Sequence, residues 1–325
     1  MKIPRRRFLH LLAVGAAALP TVSRVATAQT YPTRPVRLVL GYAPGGSPDI
    51  VARLIGQWLS ERLGQAVVIE NRPGAASNIG TEAVVRAAPD GYTLLYVTTA
   101  NAINATLYEK LNFNFIRDIA PVAGVIRVPN LVSTNLSISA KTIPEFIVYA
   151  KANPEKLNFG GPPGGTVLLS GVLFNIMAGV KLVHVPYTNQ VQAISDLLSG
   201  QMHVSFDPMP VMMQYVTTGK LQALGVTTAM RSPTLPEVPA VSEFVPDYEA
   251  SSWHGLGVPR NTPAEIVETL NKEVGSALGD PALKARFAQF GGVAMPMLPA
   301  EFQKFIAHET EKWRKVIRVA NIKPE

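Results

Sequence analysis

The 325-residue chain contains no cysteine, which excludes disulfides, cysteine nucleophiles and thiolate metal sites together. Charge is sparse, at 16% of residues. Histidine is scarce as well: beyond the N-terminal segment only His184, His203, His254 and His308 occur, far apart. A zinc centre would have to be gathered from distant stretches, so no metal is expected. Signatures of common enzymes are also missing. There is no Gly-x-Ser-x-Gly elbow and no His-Glu-x-x-His pair. Gly160 to Thr166 spaces two glycines like a phosphate-binding loop, but Thr166 stands where the motif needs lysine. The reading is therefore of a non-enzyme without a cofactor.

What is present is 47% hydrophobic sequence, enough for one or two sizeable cores. The formal charge of +7 would suggest nucleic acid or an anionic surface, yet five basic side chains and no acid fall within residues 1–28; without them the balance is +2. No nucleic-acid partner is expected. Residues 1–28 read as a leader: a basic start, an apolar stretch from Leu9 to Leu19 too short to span a bilayer, and Ala26-Thr27-Ala28 as a cleavage site. Arg5-Arg6-Arg7-Phe8-Leu9 fits the twin-arginine address of bacterial folded-protein export. A cytosolic protein with a basic N-terminus is the plain alternative. With no cysteine after the apolar stretch, a soluble periplasmic protein is expected, as a monomer.

The remainder alternates strand, glycine-rich loop and helix. Val36 to Leu40 is β-rich, and Ile50, Val51, Leu54, Ile55, Trp58 and Leu59 recur at helical spacing behind Ser47, taken as the cap, and Pro48. The unit repeats as strand 67–70, helix 79–88 and strand 92–97. Such alternation implies parallel strands, and the expected fold is α/β with parallel or mixed sheets flanked by helices. Ala120 to Thr134, with Pro121 and Pro129, reads as one long strand crossing between two lobes, and Trp253 to Val258 as the return. The expected division is 1–28 leader, 29–127 lobe 1, 128–252 lobe 2, and 253–325 lobe 1 again, ending in helices. The first of these opens at Thr262-Pro263-Ala264-Glu265, a capping-box pattern.

In α/β sheets ligands sit beyond the carboxyl ends of strands. Five loops qualify: 41–49, 74–80, 98–104, 160–166 and 186–190, all rich in Gly, Ser, Thr or Asn, whose backbone N–H groups suit an anion. The candidate contacts are Tyr42, Pro44, Gly45, Gly46, Ser47 and Asp49 in the first loop and Asn78 in the second. Thr98 and Thr99 follow in the third, Gly164, Gly165 and Thr166 in the fourth, and Tyr187 in the fifth. Asp207, after a later strand, reads as pocket lining or loop bracing. For any one loop the bland alternative is that glycine and proline simply make a tight turn.

The motifs Pro44-Gly45-Gly46-Ser47-Pro48-Asp49, Glu70-Asn71-Arg72-Pro73-Gly74-Ala75, Asn78-Ile79-Gly80, Pro89-Asp90-Gly91-Tyr92-Thr93-Leu94 and His184-Val185-Pro186-Tyr187, in this order, resemble the receptors of tripartite tricarboxylate transporters, the Bordetella uptake gene (Bug) family. The resemblance spans the chain after the leader. It implies a two-lobed periplasmic binding protein, similar to the type II class, that closes on a small organic carboxylate and delivers it to one large and one small membrane subunit. It also implies that the loops matching Tyr42 to Asp49 and Gly160 to Thr166 hold the carboxylate. A ligand sensor feeding a signalling kinase, or an α/β enzyme, are the other classes. Leu168, Val172, Thr188 and Asn189 depart from the family pattern, where a histidine, a glutamate, a lysine and a glycine are common. Lost cations and a gained apolar group predict a monocarboxylate or aromatic acid as ligand.

Overall fold

The computed structural model describes residues 31–108, 110–161, 165–187, 189–289 and 291–323. The leader, Gly164 and Thr188 lie outside the described residues.

The first strand, β1 (Val36–Leu40), is followed by α1 (Ser47–Leu63), β2 (Val67–Asn71), α2 (Asn78–Val85), β3 (Thr93–Thr98) and α3 (Thr99–Leu107). One turn of helix, α4 (Phe115–Asp118), leads into β4 (Ile119–Val128), and Pro129 separates it from β5 (Asn130–Asn135). Next come α5 (Ile143–Ala152), β6 (Asn158–Gly161), α6 (Thr166–Ala178), β7 (Val183–Pro186) and α7 (Gln190–Ser199). The second half of this region holds β8 (Val204–Pro208), α8 (Met209–Thr217) and β9 (Leu221–Val226). The chain ends with β10 (Ser252–Pro259), α9 (Ala264–Gly279), α10 (Pro281–Gln289), β11 (Val293–Ala294) and α11 (Pro299–Val319).

Among the described residues the strands form two sheets, ordered β11-β4-β10-β3-β1-β2 and β7-β6-β8-β5-β9. The protein is thus a two-lobed α/β molecule. Both sheets are mixed, in keeping with the expected α/β fold of parallel or mixed sheets. β1 runs parallel to β2 and β3, but β10 is antiparallel to β3 and β4; β5 is antiparallel to β8 and β9. The returning segments enter from the other lobe, not through a helix crossover, so nothing forces them to run parallel. The expected single strand across 120–134 is two strands in different sheets. Pro129 lacks the N–H that a continuing ladder would use.

The sheets are covered on both faces. Val36, Leu38 and Leu40 are fully buried against Val51, Ala52, Ile55 and Leu59 of α1, which recur along one face of that helix. In the second lobe Phe206 meets Phe159 edge to face and Phe174 at a tilt. α11 carries a buried stripe of Phe302, Ile306, Trp313 and Ile317 and touches α3 on one side and α6 on the other, so it spans both lobes. The expected capping box at Thr262 does not form: its hydroxyl donates to the Pro259 carbonyl at 2.7 Å, and Pro263 takes the cap position.

Candidate functional site

A cavity of about 240 Å³ lies between the lobes, at the carboxyl ends of β1, β3 and β4. Its walls are the first residues of helices. Ser47 and Pro48 begin α1, Thr99 and Ala100 begin α3 behind Thr98, and Gly165, Thr166 and Val167 open α6. Pro208 precedes α8. Tyr42, Val128, Ser252 and His254 complete the lining together with Ile103.

The first N–H groups of a helix have no partner within it, and the summed peptide dipoles place about half a positive charge there. Capping side chains usually satisfy those donors. Here the cap residues of α1 and α6 are Gly46 and Gly165, which have no side chain to offer. Ser47, expected as the cap, is instead the first residue inside α1, and it lines the cavity. The described residues of the lining include no charged side chain. Helix termini from both lobes therefore supply positive potential without a lysine or arginine.

The termini are held rigidly. Gly45, at φ +91°, turns its N–H back to Asp49 Oδ2 at 3.0 Å. Arg53 grips the same carboxylate through Nε and Nη2 at 2.9 and 3.0 Å. The Asn71 amide joins Asp49 Oδ1 to the Tyr42 carbonyl, both at 2.9 Å. Arg53 above all holds the Asp49 carboxyl down at about 2, against the cost of burial. At α3, Thr98 N–H donates to Asn101 Oδ1 at 2.8 Å, while Tyr42 OH and Thr98 Oγ1 are 3.1 Å apart. The Thr99 hydroxyl accepts from Trp253 N–H at 2.8 Å and so belongs to the β10 contact.

The structure brings together Tyr42, Ser47, Thr98, Thr99, Gly165 and Thr166 of the expected residues. Pro44, Gly45 and Gly46 lie on the exposed loop beside the cavity without lining it. Asp49 is the loop's brace. Asn78 is buried at the first position of α2, where its Oδ1 accepts from Asn104 at 3.1 Å. The Tyr187 hydroxyl donates to Asp196 at 2.7 Å, and burial pushes it up to about 12. Asp207 is buried, raised to about 6 by the loss of water, and accepts from Gln190 Nε2 at 2.7 Å; it steadies the start of α7. The expected loop 98–104 is mostly helix α3.

Sequence reasoning missed His254, Ser252, Val128 and Pro208 as lining residues. His254 and Ser252 alternate on β10 toward the same face, a period-two signal that is visible only once the strand's register is known. Two of the departures from the family pattern lie away from the cavity. Leu168 is 5% exposed in the core of lobe 2, and Asn189 caps α7 by accepting from Gln192 N–H at 3.0 Å. Neither lines the cavity. Larger hollows of about 720 and 840 Å³ flank α11, but neither gathers helix N-termini.

Residues 51–322 match the model of the tripartite tricarboxylate transporter family receptor. Rpa4515 of R. palustris, solved with adipate, is 36% identical; the match covers 91% of this chain and 100% of that one, with a TM-score of 0.78. The periplasmic binding protein BugD is 31% identical, with 91% and 100% covered and a TM-score of 0.74. MatC from Rhodopseudomonas palustris, solved with bound malate, is 30% identical, with 88% and 100% covered and a TM-score of 0.73.

Proposed function

The chain belongs to the tripartite tricarboxylate transporter receptor family, and from that premise we propose that it captures a small organic dicarboxylate between its lobes and delivers it to the large and small membrane subunits of a tripartite transporter. It is a periplasmic solute-binding receptor and not an enzyme. The observation that carries the ligand class is the convergence of the α1, α3 and α6 N-termini on one cavity without a charged side chain. Two of these termini come from lobe 1 and one from lobe 2, so an anion at each end of a short ligand would meet positive potential from both sides. Adipate and malate in the solved relatives are dicarboxylates, which favours that class over the monocarboxylate or aromatic acid expected from Leu168, Thr188 and Asn189.

Neutral donors suit a carrier. They hold the anion without a buried ion pair, so release does not strand an unpaired charge. The ligand contacts in this reading are Tyr42, Ser47, Thr98 and Thr166 with the backbone of Thr99 and Gly165, while Asp49 and Asp207 support their loops. Residues 1–28 would be removed on export, and the lobes would divide at about 127 and 252.

Calorimetric titration with adipate, malate, succinate, citrate and benzoate tests the proposal. A dicarboxylate at about a hundredfold excess over its Kd should stabilise the fold by about 2.7 kcal/mol. Gly165→Val provides a matched control: a Cβ there meets nothing within 4 Å, so the fold should survive while the added branches crowd the cavity and weaken binding. If no carboxylate binds, the reading fails.

A further inference from the structure

The floor of the cavity holds a histidine whose surroundings fix its chemistry. His254 sits on β10 opposite Thr98 of β3 in the antiparallel register, so both side chains lie on one face of the sheet with Tyr96 two residues before Thr98. The residue is 3% exposed and lines the cavity beside Ser252. Nδ1 lies 2.9 Å from the Tyr96 hydroxyl, and Tyr96 is fully buried outside the lining.

We infer that His254 is a specificity-determining contact for the ligand: Tyr96 fixes its tautomer, and Nε2–H faces the cavity as a neutral donor to one carboxylate oxygen. This rests on the carboxylate reading above. The geometry sets the direction of the proton. Among the described residues the Tyr96 hydroxyl has no other hydrogen-bond partner. If Nδ1 carried the proton, the buried phenol O–H would be left without an acceptor, which is unfavourable. The phenol therefore donates to Nδ1, and the proton of the neutral ring resides on Nε2. With Nδ1 engaged behind the wall, the Nε2 edge is what remains for the cavity.

Burial pushes the imidazole down to about 4 and the Tyr96 phenol well above its usual value, with the nearby Tyr42 adding to the latter. The pair thus stays neutral at ordinary pH. The other titratable side chain of the lining, Tyr42, is also raised by burial, so no neighbour there changes the charge. A neutral N–H rejects a ligand that presents a donor at this point, such as an ammonium or an amide nitrogen, and accepts a carboxylate oxygen.

The experiment combines calorimetry with ¹⁵N-resolved imidazole NMR on the full exported protein, using adipate and malate as probes. In the wild type, His254 should show a protonated Nε2 and an unprotonated Nδ1. His254→Phe keeps a ring of similar size without the donor and should raise Kd roughly ten- to hundredfold, as loss of a hydrogen bond to a charged group does. His254→Gln, which can place an amide N–H near the Nε2 position, should recover most of that loss. Tyr96→Phe frees the tautomer and should give a smaller rise in Kd together with a mixed tautomer in the NMR spectrum. A protonated Nδ1 in the wild type, or wild-type affinity in His254→Phe, overturns the inference while the carboxylate reading stands. A wild type that binds neither probe nor any other carboxylate overturns both. The NMR measurement on the wild type decides the tautomer even if a variant fails to fold.

Discussion

A buried carboxylate next to an anion-binding loop repels the ligand unless it is paired, and Asp49 is paired completely. Its two oxygens are taken by Arg53, Asn71 and the Gly45 N–H, so the negative charge is neutralised while the loop is drawn into shape. Asp49→Ala should lower stability by about 2 kcal/mol, since several hydrogen bonds lose one acceptor, and should weaken ligand binding because Gly45 is no longer tethered. The pH dependence has a definite sign. The folded carboxyl sits at about 2, below its usual value of 3.8, so its contribution is present above about pH 4 and is lost as pH falls toward 2. Melting curves should therefore separate wild type from Asp49→Ala at pH 6 and converge near pH 2; a constant gap would show that packing and not ionisation carries the effect. Of the five loops singled out in the sequence, 41–49, 98–104 and 160–166 contribute described residues to the cavity lining, and the placing of each side chain was not legible. Ser47 and Asp49 are two residues apart, and a one-residue shift of the helix start decides that the first lines the cavity and the second braces the loop.

Among the elements, α11 is held to the sheet by a buried acid. Glu309 is 2% exposed, and its Oε2 accepts from Trp253 Nε1 at 2.8 Å and Trp313 Nε1 at 3.2 Å, while Lys312 pairs with Oε1. The β10 indole, the helix indole and the ammonium thus share one carboxylate. Glu309→Leu leaves both indoles without their acceptor and Lys312 with the Glu249 carbonyl alone, and should cost about 3–5 kcal/mol. Glu309→Gln, which retains one oxygen, should cost clearly less. Thermal melts of the two variants check this, and equal losses would mean that shape and not hydrogen bonding holds the helix. Helical periodicity made α1, α5, α9 and α11 legible because each buries a regular apolar stripe. It failed for α3 and α8. Thr99-Ala100-Asn101-Ala102 has the polar composition of a loop, yet Asn101 and Asn104 are buried among the partners Thr81, Ala76 and Asn78. Met209-Pro210 hides the start of α8, where Pro208 is the cap. The mixed strand order was also beyond local pattern, because strand direction follows from where the chain re-enters each lobe.

For the whole molecule, the proposed capture would require the two crossings between the lobes to bend together. One passes through Pro129 between β4 and β5, and the other enters β10 at Ser252. Arg127, near the end of the first, pairs with Glu249, just before the second. Ser251 Oγ donates to the same carboxylate at 3.0 Å, and Lys312 of α11 reaches the Glu249 carbonyl at 3.4 Å. The Arg127 guanidinium also lies over the Phe305 ring at 5.2 Å, so the crossings and α11 are tied together at one place. A ligand that touches helix termini of both lobes binds the closed arrangement more tightly than the open one and shifts the population toward it. Small-angle scattering should then show a smaller radius of gyration with saturating dicarboxylate. Arg127→Met uncouples the crossings and lets the free protein sample more open forms. Its saturated radius should match the wild type, while apparent Kd rises by several-fold, in inverse proportion to the fraction still competent to close. Unchanged Kd in that variant would assign the Arg127–Glu249 pair to stability alone. A ligand-bound radius larger than the wild type would instead mean that the pair shapes the closed state itself.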